Sequence, residues 1–137
     1  MIVPLTLLVL AVSPKVELRP LQPMVGLRLG ACSVPVTFRL VVEARGNEDY
    51  YCPRVEWEWQ DGTRSTEESD CPAAASGSEV EPRQTWSRTR EIRHGGTYTV
   101  RARLYKADRL LRIVKAQVIV HGEGMSNDMR RQQGCSP

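Results

Sequence analysis

Lysine, histidine and phenylalanine are nearly absent from these 137 residues, and each scarcity removes a class of function. Lysine occurs only at Lys15, Lys106 and Lys115, so the cationic side chains are almost all arginine. The arginines alternate with glutamates along the chain, and the formal net charge is only +3. A nucleic-acid surface needs a clustered basic stripe with interleaved aromatics, and the sequence has none. The only histidines, His94 and His121, stand beside glycines with no cysteine or carboxylate at ligand spacing. They read as turn residues, not zinc ligands. No Cys-x-x-Cys pair, Gly-x-Ser-x-Gly elbow, phosphate loop or dinucleotide fingerprint occurs. Glu56 and Glu58 share a strand face, which adjacent Glu67 and Glu68 cannot do. Paired carboxylates need a cleft that separates their pKa values before they do acid–base work, and an open strand face leaves them solvated. No catalytic residue, metal ligand or cofactor is therefore implied.

Helical periodicity over a useful length is also missing. The hydrophobic share is an ordinary 41%, and the length supports one domain with a core of its own. Ile2–Val12 is the one long apolar run, interrupted by Pro4 and Thr6. It is too short to span a bilayer as a helix. Its position fits the apolar part of a secretory leader, with Ala11-Val12-Ser13 spaced as a cleavage site. No basic residue precedes the run and Pro14 follows it, so a first buried strand is the alternative. Leu29-Gly30-Ala31-Cys32 looks like a lipid-anchor box, but Glu17, Arg19 and Arg28 separate it from the apolar run. The expected division is a leader over 1–13, one domain over 14–121 and a disordered tail over 122–137, with secretion or a periplasmic location and no transmembrane segment in the mature chain.

What is present is strand alternation. Val55, Trp57 and Trp59 alternate with Glu56, Glu58 and Gln60, a half-buried strand pattern. Asp61-Gly62 follows directly and predicts a two-residue type I′ hairpin turn. That turn sets Cys52 opposite Cys71, at the roughly 4.5–5.5 Å Cα spacing of facing antiparallel residues, close enough for a disulfide. Pro53 and Pro72 beside them cannot donate to a ladder, so a bridge there holds a fraying hairpin base. The alternative is a pair of reduced, buried cysteines. Cys32 and Cys135 remain, and nothing in the pattern fixes whether they pair.

Elsewhere, Lys15–Pro23 reads as an edge strand because of its prolines, and Val25, Leu27 and Leu29 as the apolar face of a short second strand. Val34, Val36, Phe38, Leu40, Val42 and Ala44 form the clearest buried face, with Val41 the one apolar residue on the opposite parity. A polar loop follows at 45–49. The stretch Ala73–Pro82 reads as a mobile loop. Gln84–Ile92 reads as a strand carrying Trp86, and His94-Gly95-Gly96 as a turn. Tyr98, Val100, Ala102 and Leu104 face inward, as do Val114, Ala116, Val118 and Val120. Both sets keep even parity, which predicts an odd-length loop between them. Several short strands in one domain predict an antiparallel sandwich.

These stretches resemble the PKD-type, immunoglobulin-like β-sandwich domains. That family carries Trp-x-Phe-Gly-Asp-Gly and, later, Gly-Thr-Tyr-x-Val. Here Trp57-Glu58-Trp59-Gln60-Asp61-Gly62 matches at Trp57, Asp61 and Gly62, with Trp59 and Gln60 substituted. Gly96-Thr97-Tyr98-Thr99-Val100 matches in full. Ile92 stands where the family often has an aromatic. The resemblance covers about Lys15 to Val120. It implies an all-β, immunoglobulin-like sandwich whose hallmark residues are turn and core residues, not catalytic ones, and the cysteines mark a divergent, disulfide-stabilised branch.

The function expected is that of an exported, non-enzymatic module. It would bind an unknown protein or play a structural role at the cell surface or in a periplasm. The alternative is a carbohydrate-binding module. Trp57 and Trp59 share a face that is either core or a ligand platform. Tyr50, Tyr51, Trp86 and Tyr105 lie near loops and are the candidate binding aromatics, because exposed rings give contact area at small entropic cost. Their other reading is as caps of the sandwich.

Overall fold

Alternation decides the layers. Along β3 (Val34–Glu43) the side chains of Val36, Phe38, Leu40 and Val42 are buried on one face. β4 (Arg54–Glu58) buries Val55 and Trp57, and β7 (Gly96–Lys106) buries Val100, Ala102 and Leu104. β8 (Arg109–His121) adds Ala116, Val118 and Val120. These sets meet in one apolar cluster. Burying a single Val, Leu or Phe contributes about 1.5–3 kcal/mol, so the shared cluster is what joins the layers.

The computed structural model describes residues 13–68, 83–122, 132, 134 and 135. The remaining described elements are β1 (Lys15–Pro20), β2 (Met24–Gly26), a 3-10 turn (Glu48–Tyr50), β5 (Arg64–Glu67) and β6 (Arg83–Ile92). One sheet has the order β1-β3-β6 and the other β2-β8-β7-β4-β5. All neighbours are antiparallel except β2, which runs parallel to β8. The chain is all-β with two sheets, consistent with a β-sandwich. β1 sits at a sheet edge, the place where Pro20 is tolerated. Among the described residues no helix is long and apolar enough to cross a membrane. The leader expected over 1–13, the loop Ala73–Pro82, Cys71 and most of the tail expected over 122–137 lie outside the described residues.

Three details depart from the pattern reading. The central hairpin is not closed by a two-residue turn. Trp57 pairs with Ser65 and Glu58 with Arg64, whereas a two-residue Asp61-Gly62 turn would set Trp57 opposite Thr66. The loop is Gln60-Asp61-Gly62, closed by Trp59 N–H to the Thr63 carbonyl at 2.8 Å and Gly62 N–H to the Trp59 carbonyl at 3.0 Å. Only Gly62 takes a positive φ, 83°. One left-handed residue after a tight turn makes a three-residue loop with a bulge, and the register shifts by one. The register that set Cys52 opposite Cys71 therefore does not hold in the described hairpin. Cys52 is nonetheless disulfide-bonded.

The β7–β8 loop is even, not odd: Lys106 pairs with Arg109 around Ala107-Asp108. Parity is restored by a bulge. Tyr105 pairs with Leu110 but Leu104 with Arg112, leaving Leu111 as the extra residue. Its carbonyl accepts the Tyr50 hydroxyl at 3.3 Å, so the 3-10 turn docks on the bulge.

Leu29, placed by alternation on an apolar face, is 93% exposed. β2 ends at Gly26, and a turn closed by Ala31 N–H to the Arg28 carbonyl carries Leu29 to its tip. Leu27 keeps its inward place, buried beyond the strand end, with its N–H on the His121 carbonyl. The Cys32–Cys135 disulfide, which the pattern left open, is formed, with Cα atoms 5.5 Å apart.

The two flanks differ. On one, β1 lies against β8. On the other, the edges β5 and β6 are bridged by side chains. Arg88 and Arg90 have the same parity as Trp86 and Ile92, so they project from the inner face of β6. Arg88 forms an ion pair with Glu67, and Arg90 reaches Thr63 and Asp61 at 3.0 and 3.4 Å.

Candidate functional site

Both stretches that carry the sequence resemblance arrive at the same end of the molecule. The hairpin loop supplies Gln60 and Asp61, and the corner between β6 and β7 supplies His94 and Tyr98. With Arg90 and Glu91 they line an open cleft of about 680 Å³.

Asp61, Arg90 and Tyr98 are each held in place by neighbouring groups. The Asp61 carboxylate accepts the Thr63 hydroxyl at 2.6 Å and the Thr63 backbone N–H at 3.0 Å, the turn-closing habit of aspartate. The Arg90 guanidinium stacks over the Trp59 ring, 4.9 Å from its centroid, while Trp59 Nε1 donates to the Ser65 hydroxyl at 2.9 Å. At the corner, the Tyr98 hydroxyl donates to the His94 carbonyl at 2.6 Å. Gly95 is required there, because a Cβ would run into the Gly122 backbone carbonyl.

Thr63 above all, through its hydroxyl and then its N–H, holds the Asp61 carboxyl below the usual aspartate range, and Arg90 adds to this. A lowered folded pKa stabilises the fold above the ordinary aspartate range, and that contribution is lost as pH falls through the lowered value. Carboxyl-carbon NMR should show Asp61 titrating low, and Thr63→Ala should move it back toward the ordinary range. Tyr98→Phe should cost about 0.5–1.5 kcal/mol, the net worth of one hydrogen bond. Urea unfolding with an unchanged slope is the check.

The arrangement offers hydrogen bonds and mixed charge to a ligand. Among the described residues no group of three or more His, Cys, Asp or Glu is placed to hold a metal. Glu56 and Glu58 lie instead on the outer face of the larger sheet, within an arginine ladder. Glu58 meets Arg103 at 2.8 Å, and Glu56 meets Arg64 and Arg103 at 3.5 and 3.7 Å. The Arg103 hydrogen bond, ahead of the charges of Arg103, Arg101 and Arg64, holds the Glu58 carboxyl below its usual range.

The other sequence candidates scatter. Trp57 is fully buried, Trp59 is buried and stacked on it at 5.0 Å and 4°, and Val100 is fully buried beside β8. Gly62 and Gly96 sit at the turns that flank the cleft. Tyr50 and Trp86, two of the candidate binding aromatics, are buried in the core cluster, and Tyr50 is folded onto the β8 bulge, with Arg112 5.6 Å from its ring. Tyr51 and Tyr105 are half-buried, and Arg54 stacks on Tyr105 at 4.8 Å. The sequence reading missed Arg90. Its signal was parity, since Gln84, Trp86, Arg88, Arg90 and Ile92 alternate together.

No family model matches the chain, and no curated protein matches it.

Proposed function

We propose that the chain is a non-enzymatic, immunoglobulin-like sandwich of the PKD type that works outside the cytoplasm, at a cell surface or in a periplasm, as a protein-binding or structural module. The observation that carries this reading is the Tyr98 hydroxyl on the His94 carbonyl. Immunoglobulin-like domains use such a corner at the start of the sixth strand, two residues before a core cysteine, with a buried Trp on the third strand. Here Val100 takes the cysteine's place and Trp57 the tryptophan's. The sheet orders support the same assignment, with β1, β3 and β6 against β8, β7, β4 and β5. The Cys32–Cys135 bridge fits an oxidising compartment.

A photo-crosslinking residue at His94 in the full chain, exposed to the native envelope fraction, tests the binding role. A discrete protein adduct from His94 and none from Arg45, at the far end of β3, is the expected result. Equal labelling from both positions, or none, counts against it. Intact-mass analysis of exported protein should find the N-terminus near Pro14, whereas a mature chain beginning at Met1 opposes export. Two of the rings named for the carbohydrate-binding alternative are buried, and glycan binding abolished by Tyr105→Ala would favour that alternative.

A further inference from the structure

Val41 is the one apolar residue on the outward parity of β3, and the structure gives it a place. It is half-buried on the outer face of the β1-β3-β6 sheet, between Glu17 and Thr85 in cross-strand register. It lies in a shallow depression of about 250 Å³ whose walls are Arg19, Arg39, Arg83, Glu17, Pro20 and Leu21. Three arginines thus surround a small apolar floor.

The charges there are out of balance. Arg19 and Arg39 are directly opposed across β1 and β3, and like charges in that position destabilise a sheet. The single carboxylate in the depression, Glu17, is taken by Arg19 and by Lys15. Glu43 faces Arg83 in register but pairs with Arg45 at 3.0 Å. Among the described residues Arg39 and Arg83 form no ion pair.

We propose that this depression is a binding site for an oxyanion carried on a small apolar body. The Arg39 and Arg83 guanidinium groups hold the carboxylate, sulfate or phosphate, and Val41 and Leu21 contact the apolar part. Arginine's planar fork suits bidentate recognition of such groups, which a lysine does not provide. A bound anion also relieves the repulsion between Arg19 and Arg39. The site is separate from the cleft at Asp61 and does not depend on the module's partner.

The test is an NMR titration of the full chain with benzoate and with inorganic sulfate, ionic strength being held constant with chloride. Saturable shifts at the Val41 methyls and the Arg39 side-chain Nε–H, tighter with benzoate than with sulfate, are expected. Arg39→Gln and Arg83→Gln should each weaken benzoate binding at least about five-fold, roughly 1 kcal/mol. The melting temperature of Arg39→Gln should stay level or rise, since a like-charge pair has been removed, which separates binding from folding. Shifts reproduced by chloride alone, unchanged in Arg39→Gln, or absent from the Val41 methyls overturn the proposal.

Discussion

Replacing Trp57 by alanine should lower the free energy of unfolding by about 3–5 kcal/mol, the range for large aromatic truncations in a core. Trp57 has no exposed surface. Its indole stacks on Trp59, and Trp59 in turn meets Phe38 of the other sheet at 6.3 Å. Removing Trp57 therefore opens a hole beneath a ring that other groups hold in place. Trp59 cannot drop into that hole without giving up its hydrogen bond to Ser65 and its stacking with Arg90. Such a cavity stays unfilled, which sets the upper part of the range. Equilibrium urea unfolding followed by far-ultraviolet circular dichroism is the measurement. A loss under about 1 kcal/mol would show that Trp57 is not a core residue.

The second large effect belongs to the bridge between Cys32 and Cys135. The two positions are 103 residues apart, and closing a loop of that size costs the unfolded chain about 4–5 kcal/mol of entropy in the chain-entropy model. Replacing both cysteines by serine should lower stability by about 2–5 kcal/mol, the span observed for native bridges. Most of the loss should appear through the unfolded state, so the native spectrum of residues 34–68 and 83–121 should hardly change. A stability loss below about 1 kcal/mol would show that the bridge does little to restrain the unfolded chain. Non-reducing peptide mapping of the unsubstituted protein should recover Cys52 linked to Cys71, and recovery of Cys52 with Cys32 or Cys135 would overturn both bridges.

Much of the architecture was legible because one face of most strands is buried. Val36, Phe38, Leu40 and Val42 announce β3 by parity alone, and Tyr98 to Leu104 announce β7. What parity cannot fix is register. The hairpin at Asp61-Gly62 was visible, but whether one or two residues take positive φ was not, and that choice moved the ladder by a position. The β7–β8 turn failed in a related way: a bulge at Leu111 is an extra residue that alternation reads as loop. Leu29 misled because a run of three alternating apolar residues is too short to distinguish a strand from a strand end. Arg88 and Arg90 were hidden because charge was read as outward, whereas an edge strand can aim its inner face at the neighbouring sheet. The cleft was half legible, since its two motifs were found but nothing in sequence spacing brings Asp61 to His94.

The contrast between the two flanks has a dynamic consequence. Where β1 meets β8, Leu18 sits in the shared apolar cluster with Val16 packed against it, and no ion pair joins the two strands among the described residues. Where β5 meets β6 the layers adhere through Arg88 on Glu67 and Arg90 on Asp61, and those side chains are one-fifth to one-half exposed. Partly exposed ion pairs are weakened by added salt, so this seam is the one that ionic strength loosens. Local opening draws on the regions with the fewest buried apolar contacts. Of the two described strands at this seam, the four-residue β5 is therefore the one that opens first. Its amides should exchange with solvent faster as salt rises, while those of β7 keep the rate set by global unfolding. One edge of the sandwich is in effect a latch whose tension the surrounding electrolyte adjusts.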